Sequence, residues 1–443
     1  MKNYFIALLF IPLVTSGQNG LITTWAGIGV MGNTGDNGPA TLAKIPNIGL
    51  CRFDKYGNYY IPERGSNKIR KINTVGVITT IAGTGIAGYS GDSGLAINAN
   101  LNGPVGIALD TNANLFICDY NNFRVRKVDF VTGKITTIAG NGLQGYSGDS
   151  GLAVNAELSP AVICIDPFNN VFVGDGSNGT IRKISPNGLI TTYAGVPGTQ
   201  YFGDNGPAIL AGIPSPLGMI SDQYGNIFIA DFTIRKIDVS TGIISKVAGI
   251  LNQGYSGDNG PADTAQLNGP VDLAIDSIGN LYIADTHNDR IRKVDAASGI
   301  ITTIVGNGIH GYGGDNGLAD TAKLSWPEGV ALDSCGNLYI NDMLNYRIRK
   351  VAFDTNCAPN TAIHILSNSN FNVYPNPVTA ELNINNAPIG TTIRVYDVVG
   401  RLLNTAIIKY NKMNINTTTW PQGNYFIELL YLDGSRELRK LVK

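Results

Sequence analysis

The phrase Gly-Asp-Asn/Ser-Gly, followed by Pro/Leu-Ala, occurs six times and puts an aspartate at Asp36, Asp92, Asp149, Asp204, Asp258 and Asp315. The intervals are 56, 57, 55, 54 and 57 residues. Each interval carries short apolar, β-branched runs separated by Gly, Asn and Asp, which is the strand-and-turn signal. In the fifth copy the runs are 269–276, 281–285, 290–294 and 300–305. A four-stranded unit cannot bury both faces alone, so a repeat of this length predicts an all-β ring of six blades, a β-propeller.

The sixth copy has no fourth run after Arg349-Lys350-Val351. The missing phrase stands at the other end, Leu21-Ile22-Thr23-Thr24-Trp25-Ala26-Gly27. The N-terminal strand is therefore expected to complete blade six and remove an unpaired edge.

The chain has 443 residues, 43% hydrophobic and 15% charged, with a net charge of −1. That composition supports a large core, and the absence of a basic run speaks against nucleic acid as partner. Residues 1–17 read as a secretory signal: a basic start, an apolar stretch from Tyr4 to Val14, then small residues. No later window reaches about 18 apolar residues, so no membrane span is expected. Five cysteines are present. Cys335 lies in the turn after the first strand of blade six and Cys357 follows its third strand, so an up-down-up path predicts a disulfide between them. Cys51, Cys118 and Cys164 lie inside strands and read as buried filler.

The runs Gly-Asn-Leu-Tyr-Ile-Ala-Asp at 279–285 and Asn-Tyr-Arg-Ile-Arg-Lys-Val at 345–351 resemble NHL repeats, a resemblance that covers roughly residues 20–352. It implies a six-bladed propeller used mostly as a binding platform and, in a minority of members, as an enzyme. Blade four departs by a three-residue deletion around Asp231 to Arg235. A polar linker is expected over 357–370. The stretch 371–443, with Pro375-Asn376-Pro377, Val399-Gly400-Arg401 and a final Lys443, reads as a small β-sandwich and resembles the type A C-terminal sorting domain of type IX secretion. That resemblance implies export across the outer membrane of a Bacteroidota-type bacterium, with the secretion machinery as a partner of 371–443.

Features present in every blade are most economically structural. The acids ending the second strand (Glu63, Asp119, Asp175, Asp231, Asp285, Asp342) and the third-strand arginines (Arg70, Arg126, Arg182, Arg235, Arg292, Arg349) are expected to form an acid–guanidinium network joining strands or neighbouring blades. The six loop aspartates read as turn caps, with Asp258/Asp263 and Asp315/Asp320 the best calcium exceptions. The aspartates closing each first strand, such as Asp54 and Asp276, read as turn initiators.

Positions that break the symmetry are the candidate site. Asp272 in blade five, Glu328 beside Trp326 in blade six and Arg52 in blade one stand where other first strands carry Gly or apolar residues. Together they are expected to line one polar pocket at the central channel. Loop tyrosines Tyr89, Tyr146, Tyr255 and Tyr312 either pin their glycine-rich loops or form an aromatic ring suited to sugar or peptide. Of three histidines, His310 reads as a solvated loop residue, and no zinc set, nucleophile elbow or phosphate loop is present.

The leading expectation is an exported binding module for an extracellular protein or glycan, with no cofactor. One alternative is a calcium-dependent lactonase or hydrolase in which Asp272 and Glu328 hold the metal and polarise an ester carbonyl. The other is a structural scaffold of the envelope or biofilm. Catalysis is left open.

Overall fold

The computed structural model describes residues 20–353, 372–374, 380–385, 389–397, 402–410, 412–430 and 436–443. The expected signal over 1–17, the linker over 357–370 and Cys357 lie outside these residues. The chain divides into two compact units, Met1–Thr355 and Asn356–Lys443.

The first unit contains six antiparallel sheets, five built from one repeat each and the sixth from the last repeat with an N-terminal strand. In blade five the strands are Pro270–Ile275, Leu281–Asp285, Arg290–Val294 and Ile300–Val305, in that order across the sheet. Both faces of a blade are covered by its neighbours. One apolar cluster joins Ala274, Tyr282 and Ala284 of blade five to Val330, Leu338 and Ile340 of blade six. Burying each such isoleucine or leucine is worth about 1.5–3 kcal/mol, which a lone blade could not obtain on both sides.

Closure occurs as the sequence suggests. Leu21–Ala26 pairs antiparallel with Arg347–Ala352, and Ile22 joins the core between blades five and six. At the next junction buried Asn341 of blade six donates to the Gly49 carbonyl at 2.6 Å and accepts the Tyr59 hydroxyl at 3.0 Å. The first and last repeats are thereby held by a strand ladder and by a buried polar bridge.

The repeated phrase has a shared task. Its residue after the aspartate lies in the left-handed region in all six copies, from Asn205 at φ 63° to Ser93 at φ 68°. Short polar side chains tolerate that conformation, which explains the Asn/Ser choice. The chain then runs along the outermost strand, as Gly260–Pro261 does against Ile300 and Ile301, and covers the edge of its own blade.

The aspartate of the phrase corrects its expected role as a turn cap. It reaches inward to the buried third-strand arginine: Asp258 to Arg292 at 2.7 Å, Asp315 to Arg349 at 2.7 Å, Asp36 to Arg70 at 2.9 Å. The same guanidinium meets the second-strand acid of its own blade, Arg292 to Asp285 at 3.4 Å and Arg349 to Asp342 at 3.2 Å. All six arginines are fully buried. Each joins two strands and one loop within a blade, so the network does not link blades. Burial pushes the Asp342 carboxyl up to about 6, against the hydrogen bonds from Asn345 and Ser325 and the charge of Arg349. At Asp315 burial also pushes upward, but Thr24, Tyr312 and Arg349 outweigh it and hold the carboxyl below its usual range.

First-strand aspartates start tight turns as expected. Asp276 accepts the Asn280 amide at 2.8 Å, and Asp54 accepts Tyr56 and Asn58. Cys335, in the equivalent turn of blade six, is disulfide-bonded. Cys51, Cys118 and Cys164 are free and buried, and burial pushes the Cys51 and Cys164 thiols up to about 12.

The second unit is a small all-β domain. One sheet orders Asn372–Tyr374, Glu381–Asn385 and Lys412–Asn416; the other orders Leu402–Ile407, Thr392–Asp397, Asn424–Leu430 and Arg436–Val442. Leu382, Ile384, Ile393, Val395, Ile427 and Leu441 form its core.

Candidate functional site

Strand register explains why the symmetry-breaking residues matter. Pairing with the second strand aligns Arg52 with Ala108, Cys164, Ile220, Ala274 and Ala331 of the other blades. The same alignment puts Asp272 where three other blades have Gly106, Gly218 and Gly329. Glycine there lets neighbouring inner strands approach closely: a Cβ on Gly218 would lie 2.3 Å from the Val271 carbonyl.

Arg52 and Asp272 meet as a two-pronged ion pair, both contacts 2.8 Å, between blades one and five. Asp272 is 0% exposed and also accepts the Val330 amide of blade six at 3.0 Å. Burial alone would lower the Arg52 guanidinium; the charge and hydrogen bonds of Asp272 reverse that and raise it. One contact therefore ties three blades at the channel.

Glu328 is placed differently. It is the bulged residue between Pro327 and Gly329, accepts the Trp326 indole N–H at 3.1 Å, and feels Arg64 of blade one. Burial pushes its carboxyl up against both partners. The four residues expected in one pocket thus form two separate pairs, Arg52–Asp272 and Trp326–Glu328.

These pairs do not suit calcium, which takes six to eight oxygens. Both Asp272 oxygens are engaged by a guanidinium and an amide. Among the described residues no group of three or more His, Cys, Asp or Glu is arranged to hold a metal ion.

Removing one partner of the channel pair should be costly. Arg52→Ala is expected to lower stability by about 3–5 kcal/mol, because it leaves a buried carboxylate uncompensated. Arg52→Ala with Asp272→Gly restores the residues that other blades carry and should recover most of the loss in a thermal-melt double-mutant cycle. A double variant as unstable as the single one would refute this account.

On the loop face the tyrosines are both pinned and presented. Tyr255 donates to Asp258 at 2.7 Å, and the guanidinium of Arg290 lies 3.8 Å from its ring centre. Arg124 lies 3.8 Å from Tyr89, and Arg347 lies 3.9 Å from Tyr312. In blade three Arg182 lies 4.7 Å from Tyr146. Tyr89, Tyr146, Tyr255 and Tyr312 keep 44, 37, 42 and 44% of their surface exposed. Each ring is fixed yet available.

Two contributors escaped the sequence reading. The stacking arginines Arg124, Arg290 and Arg347 stand two residues before the buried ones, a spacing visible in Arg-Val-Arg-Lys and Arg-Ile-Arg-Lys. The same loops carry exposed aliphatics: Ile86, Leu143 and Ile309 stand three residues before their tyrosines, Leu251 stands four before Tyr255, and Val30 stands in the first loop, which has no tyrosine. His310, expected to be simply solvated, is hydrogen-bonded on both ring nitrogens. On the opposite face a shallow depression is lined by Leu109, Ile165, Asp166 and Ser221.

Residues 372–443 match the family described as the secretion system C-terminal sorting domain. Residues 101–128 match the NHL repeat, and 250–313 match the Teneurin NHL domain. The chain is 28% identical over 289 residues to Protein SUPPRESSOR OF QUENCHING 1, chloroplastic, of Arabidopsis thaliana, covering 62% of this chain and 27% of that protein. It is 31% identical over 233 residues to Teneurin-1 of Mus musculus, covering 46% and 8%. The chain thus spans well under half the length of these relatives. A solved auxiliary nutrient binding protein from Bacteroides ovatus superposes with a TM-score of 0.56 at 17% identity, covering 75% of this chain and 76% of that one. The C-terminal domain marks the protein for export to the cell surface or the medium, as in Bacteroidota, and implies contact with the secretion machinery. No described helix is long and apolar enough to cross a membrane. The chain is a six-bladed NHL-repeat β-propeller followed by a type IX secretion sorting domain.

Proposed function

We propose that the exported propeller is a binding module whose loop face recognises an extracellular protein or glycan. The observation that carries this reading is the ring of four tyrosines, each clamped by an arginine and by a hydroxyl contact and each more than one-third exposed. Rigid aromatic rings present large contact area with little ordering cost on binding, and they suit both sugar faces and peptide side chains. Exposed aliphatics of the same loops add apolar area. A propeller of like fold that carries the name nutrient binding protein is in keeping with this use.

The metal-dependent hydrolase has less support, because Asp272 already has three donors and Glu328 is bound to Trp326. A scaffold role gives no reason for locking the tyrosines in exposed positions.

The full chain and a Tyr89/Tyr146/Tyr255/Tyr312→Ala variant should be compared on an array of polysaccharides and extracellular proteins. The native chain is expected to retain at least one class, and the variant to bind at least ~10-fold more weakly, since hot-spot aromatics each contribute about 1–2 kcal/mol or more. Equal binding by a folded variant would sink the loop-face reading.

A further inference from the structure

Two of the three histidines gather at the junction of blades five and six. Asp289, almost buried, faces His310 Nδ1 at 3.2 Å, and Ser325 Oγ faces His310 Nε2 at 2.9 Å. A carboxylate only accepts, so Nδ1 of the neutral ring carries the proton and Nε2 presents its lone pair to the Ser325 hydroxyl. The order and polarity are those of a Ser–His–Asp relay. Among the described residues it occurs in this one blade junction. The matching serine of blade three, Ser159, has no side-chain partner.

The next residue is strained. Trp326 has φ 56° where two other blades place Gly103 at φ 62° and Gly269 at φ 59°. A bulky side chain there costs on the order of 1–3 kcal/mol. Asp289 holds the strain by accepting the Trp326 amide at 2.7 Å, as Asn67 accepts the Gly103 amide at 2.8 Å in the unstrained case. The second Asp289 oxygen is what orients His310. The indole packs on His287, with ring centres 4.5 Å apart, and its N–H is held by Glu328. Packing alone would favour glycine at this position; a tryptophan fixed beside a hydroxyl–imidazole pair suits a substrate pocket.

We propose that Ser325 is an acyl-accepting nucleophile, with His310 its general base and Asp289 the positioning carboxylate, and that the site hydrolyses esters of short acyl groups. Ser325 Oγ bonds to the acyl carbon as its proton passes to His310 Nε2. The ester C–O bond then breaks, and the departing alkoxide takes that proton. Water attacks the acyl-serine and gives a proton to Nε2, which returns it to Oγ. Ester and water become acid and alcohol, with no metal or redox partner. Ser325 is 2% exposed, whereas the His310 side chain that contacts it is 59% exposed. The hydroxyl is recessed next to its base, which restricts the acyl group to a small one.

The test treats the full chain with a fluorophosphonate reagent and follows hydrolysis of p-nitrophenyl acetate and octanoate. The expected result is an adduct mapped to Ser325 by peptide mass spectrometry, with acetate cleaved faster than octanoate. His310→Ala, an exposed change that leaves the fold intact by its melting temperature, should slow cleavage by about 10²–10⁴-fold. Ser325→Ala should abolish the adduct, and Ser159→Ala should leave it unchanged. No adduct on the folded native chain, or equal labelling of His310→Ala, overturns the proposal and leaves the trio as a pin between blades.

Discussion

Replacing Arg292 by methionine should lower the melting temperature of the propeller by about 5 °C, one of the two largest effects expected of a single substitution here. The guanidinium is fully buried and meets two acids, Asp285 from its own sheet and Asp258 from the loop. It also donates to the Ser256 and Gln266 carbonyls. Methionine fills much of the volume but leaves Asp285, itself fully buried, without its counter-charge, an error worth about 3–5 kcal/mol. Arg292→Lys keeps the charge and loses the fork that reaches strand and loop together, so it should recover only part of the loss. Adding Asp285→Asn to Arg292→Met removes the buried charge and should raise stability above that of the single variant. Thermal melts followed by circular dichroism decide the matter. A methionine variant within 2 °C of the native chain would show that the network contributes register and no net stability.

Deleting the strand Leu21–Ala26 should be more damaging still and different in kind. Blade six would lose its outermost strand, exposing the Arg347–Ala352 edge to pairing with other chains. The core between blades five and six would lose Ile22. The Asp315 loop would also lose Thr24, which donates to its carboxylate at 2.6 Å. Aggregation and loss of a single cooperative unfolding transition are the expected outcomes, read by light scattering and calorimetry. A synthetic peptide of residues 20–28 added during refolding should rescue solubility, because the ladder itself is intact on the acceptor side. A monomeric deletion variant with native unfolding would mean that the ring closes without this strand.

Both expectations concern repeated features, and these were the legible ones. Six copies of a four-run phrase define the strands and the edge-covering loops. The misplaced fourth phrase at residues 21–27 defines the closure. The arginines and strand-end acids were also readable as partners, since identical positions in every copy must share one environment. The loop aspartates were misread as caps because the phrase looks like a local turn. Only the folded path shows Asp258 lying over Arg292, 34 residues away. The tyrosines were recognised, while the arginines that hold them were not, since stacking depends on side-chain direction rather than on spacing.

The symmetry-breaking residues divide the two levels of information most sharply. Composition and repeat comparison alone picked out Arg52, Asp272, Trp326 and Glu328 as departures from the common blade. Which of them meet was decided by the ring: Arg52 reaches Asp272, 220 residues distant, and Trp326 keeps Glu328. His310 gained Asp289 and Ser325 only when the junction of blades five and six brought a turn of blade five against the loop that leads into the first strand of blade six. Strand period and turn chemistry are local and repeated six times, so the sequence by itself determined the propeller and its closure; the sorting domain, which is not repeated, was legible through its resemblance to a known family. A contact made once, between residues on different blades, has no local signal. Its existence depends on ring geometry and side-chain direction, which is why the tertiary structure alone decided the channel pair and the blade five–six relay.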